Sequence, residues 1–399
     1  MSASDLAFGT ANLLLALAVS GVSLALLPGS DAPSSSPMLF DTPDATLSGA
    51  AASALPKLVL DSRSDPATIV FAGDIMQHAA QQNDDFDVSY AAVAPLLQSA
   101  DLAVANLEFP VDARRAPGPV GDSVKFNGSP AHLDALSRAG FDILATANNH
   151  AFDQGRVGVR RTVRELLSRG IRPVGSALRR SSLNSEFVMT TIKGMNLAFF
   201  AYTATLNTYL DDDDRFVDPP RNLPVSTAHF DEWTSEYREQ GRSIFRRDVE
   251  RARAAGADWV VALPHWGLEW KFSPSQDQRI AAHDMIDQGF DLVVGGHGHV
   301  LNPPELYRDR LIVYSLGNFI CDFEDWRART GALLDVRVSR DASGHVGLSD
   351  FGLRALHIRR ESHVVEPLTR PSVATDSETV RSWDLARSVL GPALRDEMP

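Results

Sequence analysis

Short apolar runs that each stop at a polar residue, with stretches of helical spacing between them, restrict the folds open to this chain more than any other feature. Residues 67–73 read ATIVFAG, a run rich in β-branched side chains that ends at Asp74. Residues 102–105 lead to Asn106-Leu107-Glu108, and residues 141–147 to Asn148-Asn149-His150. Residues 258–263 lead to Pro264-His265, and residues 292–294 to Gly295-Gly296-His297-Gly298-His299. Between these strands, residues 90–99, 131–139, 159–167, 233–255 and 275–288 carry helical spacing, and Gly140, Gly170 and Gly289 punctuate three of the helices. Alternation of this kind predicts an α/β domain whose functional side chains gather at the ends of strands.

Composition narrows the function. The chain has 399 residues, 44% of them hydrophobic, enough to bury a large core as one big domain or two ordinary ones. A formal net charge of −13 argues against a nucleic-acid partner, because phosphate backbones are held by clustered Lys and Arg. A single cysteine, Cys321, excludes an internal disulfide and a cysteine-rich zinc site. Its place after an apolar run reads as a small buried hydrophobe rather than a nucleophile.

Residues 13–27 carry no charge, which suits a signal-peptide core or, extended toward Leu6, a membrane span. No Lys or Arg precedes Lys57, so the positive flank of a signal is missing, and a core helix in a cytoplasmic protein is the alternative. A Ser-, Pro- and Asp-rich tether follows, and the expectation is therefore an extracytoplasmic, membrane-anchored protein. The predicted organisation is an apolar segment over 1–30, a linker over 31–65, one α/β domain over 66–365 and a tail over 366–399. Residues 187–192 and 196–202 read as a hairpin around Lys193-Gly194. The irregular stretch 203–230 carries the run Asp211 to Asp214, a solvated loop rather than a calcium site because the alternating ligands of such a site are absent.

Taken alone, His297 and His299 fit a metal-binding strand end or a packed turn equally well. Together with Asp74, Glu108, Asn149, His150 and His265 they offer carboxylates, a carboxamide oxygen and imidazoles. That mixture suits a pair of divalent ions such as Mn, Fe or Zn. Two such ions activate water and neutralise charge on a phosphoryl oxygen. Glu108 is the natural shared ligand, and a histidine outside the ligand set, His150, is the candidate proton donor.

The succession Gly73-Asp74, Asn106-Leu107-Glu108, Ala147-Asn148-Asn149-His150-Ala151-Phe152-Asp153-Gln154-Gly155, His265-Trp266-Gly267-Leu268-Glu269, Gly296-His297-Gly298-His299-Val300 and Tyr314-Ser315-Leu316-Gly317-Asn318-Phe319 resembles the CapA family. That family is named for poly-γ-glutamate capsule biosynthesis and is similar to the calcineurin-like metallophosphoesterases. The resemblance runs from about residue 68 to residue 322. It implies a four-layered α/β/β/α sandwich with a two-metal centre at strand C-termini. It further implies Asp74, Glu108, Asn149, His265, His297 and His299 as ligands and His150 as catalytic acid. Glu269, Asn302, Glu305 and Asn318 look like supporting residues in that family, although Asn302 and Asn318 also read as loop hydrogen-bonding groups.

Two departures stand out. Related phosphoesterases carry Asp-x-His where this chain has Asp74-Ile75-Met76, with His78 two residues on, read as surface or supporting. The family commonly has His-Pro-His where this chain has His297-Gly298-His299, and glycine should make that turn less rigid. The function implied is a metal-dependent hydrolase acting on an anionic polymer or a phosphoester, working with membrane-bound capsule-synthesis proteins. A non-catalytic assembly or export component that holds the polymer is the alternative.

Overall fold

The computed structural model describes residues 40–41, 65–118, 125–178, 187–207, 235–370 and 376–396. Two sheets carry the chain. In the first, β1 (Ala67–Ile75), β2 (Leu102–Leu107), β3 (Ile143–Ala145) and β4 (Arg172–Val174) run parallel in that order. On the other side of β1 lie the long antiparallel strands β12 (Thr330–Arg340) and β13 (Val346–Ile358), then β14 (Val365–Pro367). In the second, the order is β5 (Val188–Ile192), β6 (Met195–Thr203), β7 (Trp259–His265), β8 (Leu292–Val294), β10 (Arg310–Val313) and β9 (Glu305–Tyr307). The strands from β6 to β10 in that order are mutually parallel. A short strand, β11 (Asn318–Ile320), pairs in parallel with the end of β1.

The period of two along each strand sorts the side chains into layers. From β1, Ile69 and Phe71 enter a core shared with Phe199, Val261 and Leu292 of the second sheet, so the sheets pack face to face. The alternate residues Val70 and Ala72 join a separate cluster with Phe86, Tyr90, Leu133 and Leu136. Those four come from α1 (Phe86–Tyr90) and α3 (Pro130–Ala139), which with α2 (Ala94–Ser99) cover the first sheet. On the far face of the second sheet, Ala198, Phe200, Val260 and Val293 meet Phe245, Val249, Ala281 and Met285. These belong to α5 (Ser235–Ala254) and α6 (Gln276–Asp287). The result is the predicted α/β/β/α sandwich. Each large apolar side chain taken fully out of water contributes about 1.5–3 kcal/mol.

Local chemistry explains the element ends. Ser275 and Gln278 form a reciprocal capping box at the start of α6, with Gln278 N–H donating to Ser275 Oγ at 3.1 Å and Ser275 N–H to Gln278 Oε1 at 2.9 Å. Gly140 closes α3 at φ 110°. The β5–β6 hairpin turns at Lys193 and Gly194, both at positive φ, as a two-residue turn of the twisted type requires.

Three sequence expectations meet a different outcome. Helical spacing over 159–167 sets Leu167 on one face with Val159, Val163 and Leu166, but on α4 (Gly155–Ser168) it is half exposed while those three carry the packing. Within the predicted linker, Phe40 and Asp41 pack on the domain, and within the predicted tail α7 (Ser377–Leu390) packs on β12 and β13 and buries Trp383, Val389 and Leu390 in the main core. The apolar stretch 13–27 and the aspartate run 211–214 lie outside the described residues. Among the described residues no helix is long and apolar enough to cross a membrane.

Candidate metal centre

All seven predicted site residues arrive at one rim, because parallel strands of both sheets end there. Asp74 is the penultimate residue of β1 and pairs in register with Asn106 of β2 and Asn318 of β11. Glu108 follows β2 directly, Asn149 and His150 follow β3, His265 ends β7, and His297 and His299 follow β8. A bridge between His265 and Gly296 ties the last two contributions together.

The turn that carries His297 and His299 is shaped around Asp74. A Cβ at Gly296 would sit 2.4 Å from Asp74 Oδ1, so only glycine lets the carboxylate in. His297 N–H then donates to Asp74 Oδ2 at 2.9 Å. Both histidines adopt left-handed backbone, with φ of 86° at His297 and 53° at His299. Non-glycine residues held there cost roughly 1–2 kcal/mol each. Gly298 does not supply the unusual conformation. A Cβ there meets nothing nearer than Ser315 Oγ at 3.6 Å, and the constraint falls on the histidines flanking it.

Two ligand clusters share one residue. Asp74, Glu108 and His265 form the first, and Glu108, His297 and His299 the second, each able to bring its donor atoms within 4.8 Å of one another. Glu108 Oε1 lies 3.2 Å from His265 Nε2 and 3.8 Å from His299 Nε2. Asn149 Oδ1 lies 2.9 Å from His265 Nε2, which brings the carboxamide to the same point. Both Glu108 oxygens and His297 Nδ1 are buried without a hydrogen-bond partner. Buried carboxylates in that state demand a countercharge. Burial raises Glu108 to about 8, with Glu269 and Asp153 adding to the rise, and raises Asp74 to about 7, with the charge of Glu108 adding. Burial lowers His265 to about 4 and His297 and His299 to about 3, so all three imidazoles are neutral and ligand-competent near neutral pH. The donor set therefore fits divalent metal.

Neighbours fix the orientations. Asn106 Nδ2 donates to Asp74 Oδ1 at 2.8 Å and lies 3.2 Å from His265 Nδ1, and Asn148 holds the other end of Asn106 at 3.1 Å. His299 Nδ1 lies 2.9 Å from Asn318 Oδ1, leaving Nε2 for a ligand. The sequence does not announce this role for Asn106, because Asn at a strand end also reads as a turn former.

His150 belongs to neither cluster. Its Nδ1 bonds Asp153 Oδ2 at 2.7 Å, and Asp153 accepts in turn from Phe126 N–H at 2.7 Å. Burial pushes His150 down, but the hydrogen bond and charge of Asp153, followed by Glu108 and Glu269, outweigh it and the net shift is upward. His150 Nε2 lies 3.4 Å from Asn207 Nδ2. Asp153, three residues after His150 in the same motif, is a partner that the sequence pattern alone does not assign.

The remaining predicted supporters divide. Asn318 orients His299 as described, and Glu269 is exposed at the rim, where its charge acts on Glu108, His297 and His150. Asn302 instead donates to the carbonyls of Lys271 and Leu301, and Glu305 accepts from Tyr314 Oη at 2.6 Å and pairs with His283 at 2.6 Å. His78 is half-buried, its Nδ1 accepting from Asp322 N–H at 3.1 Å and its ring edge-on to Phe126 and Phe323. Cys321 is fully buried and burial raises its thiol to about 12, as a packed hydrophobe requires.

Residues 68–323, which hold this entire constellation, match the profile of the bacterial capsule synthesis protein PGA_cap. The chain belongs to that family. It is 27% identical over 292 residues to the "PGA biosynthesis protein CapA" of Bacillus subtilis, covering 70% of each chain. It is 25% identical to the "Capsule biosynthesis protein CapA" of Bacillus anthracis, covering 68% of this chain and 64% of that one. A "Probable polyglutamine synthesis accessory protein" of Mycobacterium tuberculosis is 28% identical over 71% of both chains. The solved structure of TT1561 from Thermus thermophilus aligns over 67% of this chain and 94% of its own, at 12% identity and a TM-score of 0.35.

Proposed function

We propose that this protein is a metal-dependent hydrolase of the metallophosphoesterase type serving synthesis of poly-γ-glutamate or another envelope polymer. Glu108 carries the reading: a buried carboxylate, neither oxygen hydrogen-bonded, common to two clusters of ligating side chains. Asp74, Glu108, Asn149, His265, His297 and His299 would hold two divalent ions, with Mn, Fe or Zn suited to this mixture of oxygen and imidazole donors. When bound, such ions supply Lewis-acid polarisation of the substrate and activation of water near neutral pH.

The chain's own groups do the rest. His150, locked by Asp153, presents Nε2 as the acid for a leaving oxygen or nitrogen. Asn106 and Asn318 hold His265 and His299 in the orientations that point a ring nitrogen at Glu108. The substrate is an anionic polymer or a phosphoester, and the names of the Bacillus relatives favour a polyglutamate system with membrane-bound synthesis proteins as partners. Residues 13–27 support a location outside the cytoplasmic membrane, tethered to it.

A second reading, a non-catalytic component that holds the polymer, draws on the mycobacterial relative named as an accessory protein. One assay separates the two. Purified full-length protein is loaded with Mn²⁺ or Zn²⁺ and offered a phosphodiester and polyglutamate, beside His150→Ala and His297→Ala. The hydrolase reading expects turnover by wild type, a loss of about 10²–10⁴-fold in His150→Ala with metal retained, and loss of metal in His297→Ala. Metal and polymer binding without turnover supports the second reading.

A further inference from the structure

The ligand turn is strained, and something outside it must hold it. His297, His299 and Trp270 are three non-glycine residues at positive φ in one contiguous patch. Trp270 N–H donates to Gly298 O at 2.9 Å, and the Trp270 ring lies 5.1 Å from the ring of His299 at 32°. Phe323 closes the same cluster, 4.9 Å from Trp270 and 5.2 Å from His299. The outer face of Trp270 is covered from an unexpected direction.

Phe40 packs on Trp270 with ring centroids 5.4 Å apart and on Phe272 at 6.3 Å. The Arg327 guanidinium sits 3.9 Å over the Phe40 ring, and Asp325 fixes that guanidinium through bonds of 2.9 and 2.6 Å. Asp41 completes the attachment: Phe272 N–H donates to Asp41 Oδ1 at 2.8 Å, and Asp41 N–H reaches Trp270 O at 3.4 Å. Trp270 thus touches both Phe40 and His299, each through tilted rings.

We propose that Phe40 and Asp41 form a strap that presses the Trp270 loop onto the Gly298 carbonyl and so holds His297 and His299 in the geometry that presents them to a metal. They are positioning residues for the centre. The proposal rests on the metal-centre reading for its consequence, though not for the mechanical coupling. It also means that Phe40 and Asp41, which precede the first strand in sequence, are part of the site's support.

The test uses the full-length protein with two independent readouts. In the metal-free state, hydrogen–deuterium exchange is followed for peptides covering 268–273 and 295–302, in wild type, Phe40→Ala and Phe40→Tyr. Phe40→Ala is expected to speed exchange in those two segments by about tenfold while β6 and β7 stay protected, and Phe40→Tyr to match wild type. In Mn²⁺ titrations Phe40→Ala is expected to keep the wild-type stoichiometry with affinity lowered about tenfold. Unchanged exchange in 295–302 would overturn the strap, as would loss of protection spread evenly over the whole fold. A wild type that binds no Mn²⁺ would instead sink the metal-centre reading, with the exchange arm still deciding the strap.

Discussion

Glu108 and Asp74 set how the metal-free protein responds to pH. Their folded values, about 8 and about 7, lie above the ordinary 4.5 and 3.8, so the folded state holds protons that the unfolded chain has released. Stability from these groups is present at low pH and is lost as pH rises through 7 and 8. His265, His297 and His299 lie below 6.5, so their contribution is lost as pH falls from 6.5 toward 3–4. Above 6.5 the two carboxylates still titrate, and His150 and His363, both shifted upward, lose stability in the same direction as pH rises. The melting temperature of metal-free protein should therefore fall between pH 6.5 and 8.5. Glu108→Gln should reduce that fall by about 2–4 °C, as read by calorimetry in chelator. A flat profile in wild type would contradict the buried-carboxylate account. Asp153→Asn should lower the His150 pKa, because the bond and charge that raise it are gone. With His150 acting as an acid, the alkaline limb of the rate profile should move to lower pH and kcat should drop by about 10²-fold or more. An unchanged limb would remove His150 from that role.

At the scale of elements, the decisive piece is the turn after β8. Gly296→Ala places a Cβ 2.4 Å from Asp74 Oδ1, so the carboxylate must move and metal affinity should collapse. Gly298→Ala meets only ordinary contacts of 3.6 Å and beyond, and should retain metal. Titration of both variants with Mn²⁺ checks the contrast; equal losses would mean that the turn is not built around Asp74. Much of this was legible in the sequence, since a strand end announces itself by an apolar run stopping at a polar residue. All seven residues so announced do converge. The backbone of the turn was not legible. Glycine at 298 suggested flexibility there, whereas the left-handed φ values fall on the histidines, forced by bonds to Asp74 and Asn318 that arrive from other strands. Asp41 bonds a residue 231 positions away, a contact that no local pattern encodes.

For the molecule as a whole, two sheets pressed face to face bring the C-terminal ends of parallel strands from both halves to one rim. The alternation of strand and helix patterns announced an α/β domain, and the layer order came only as what the resemblance of the strand-end motifs implied. The role of the C-terminal stretch did not, because its apolar content is sparse and its helical stripe of Trp383, Ala386, Val389 and Leu390 emerges only once there is a core to receive it. Arg329 on β12's approach pairs with Glu378 and fastens that helix. Trp383→Ala should cost about 3–5 kcal/mol by denaturant unfolding while leaving the metal stoichiometry of the remaining folded protein unchanged. A cost under about 0.5 kcal/mol would make α7 an ornament of the fold.

The central claim, that Glu108 joins two metal positions, is tested most directly by counting ions. Full-length protein dialysed against Mn²⁺ or Zn²⁺ and measured by inductively coupled plasma mass spectrometry should hold two ions per chain, and Glu108→Gln should hold at most one. A wild type with no stoichiometric metal, or a Glu108→Gln variant that keeps both ions, would contradict it.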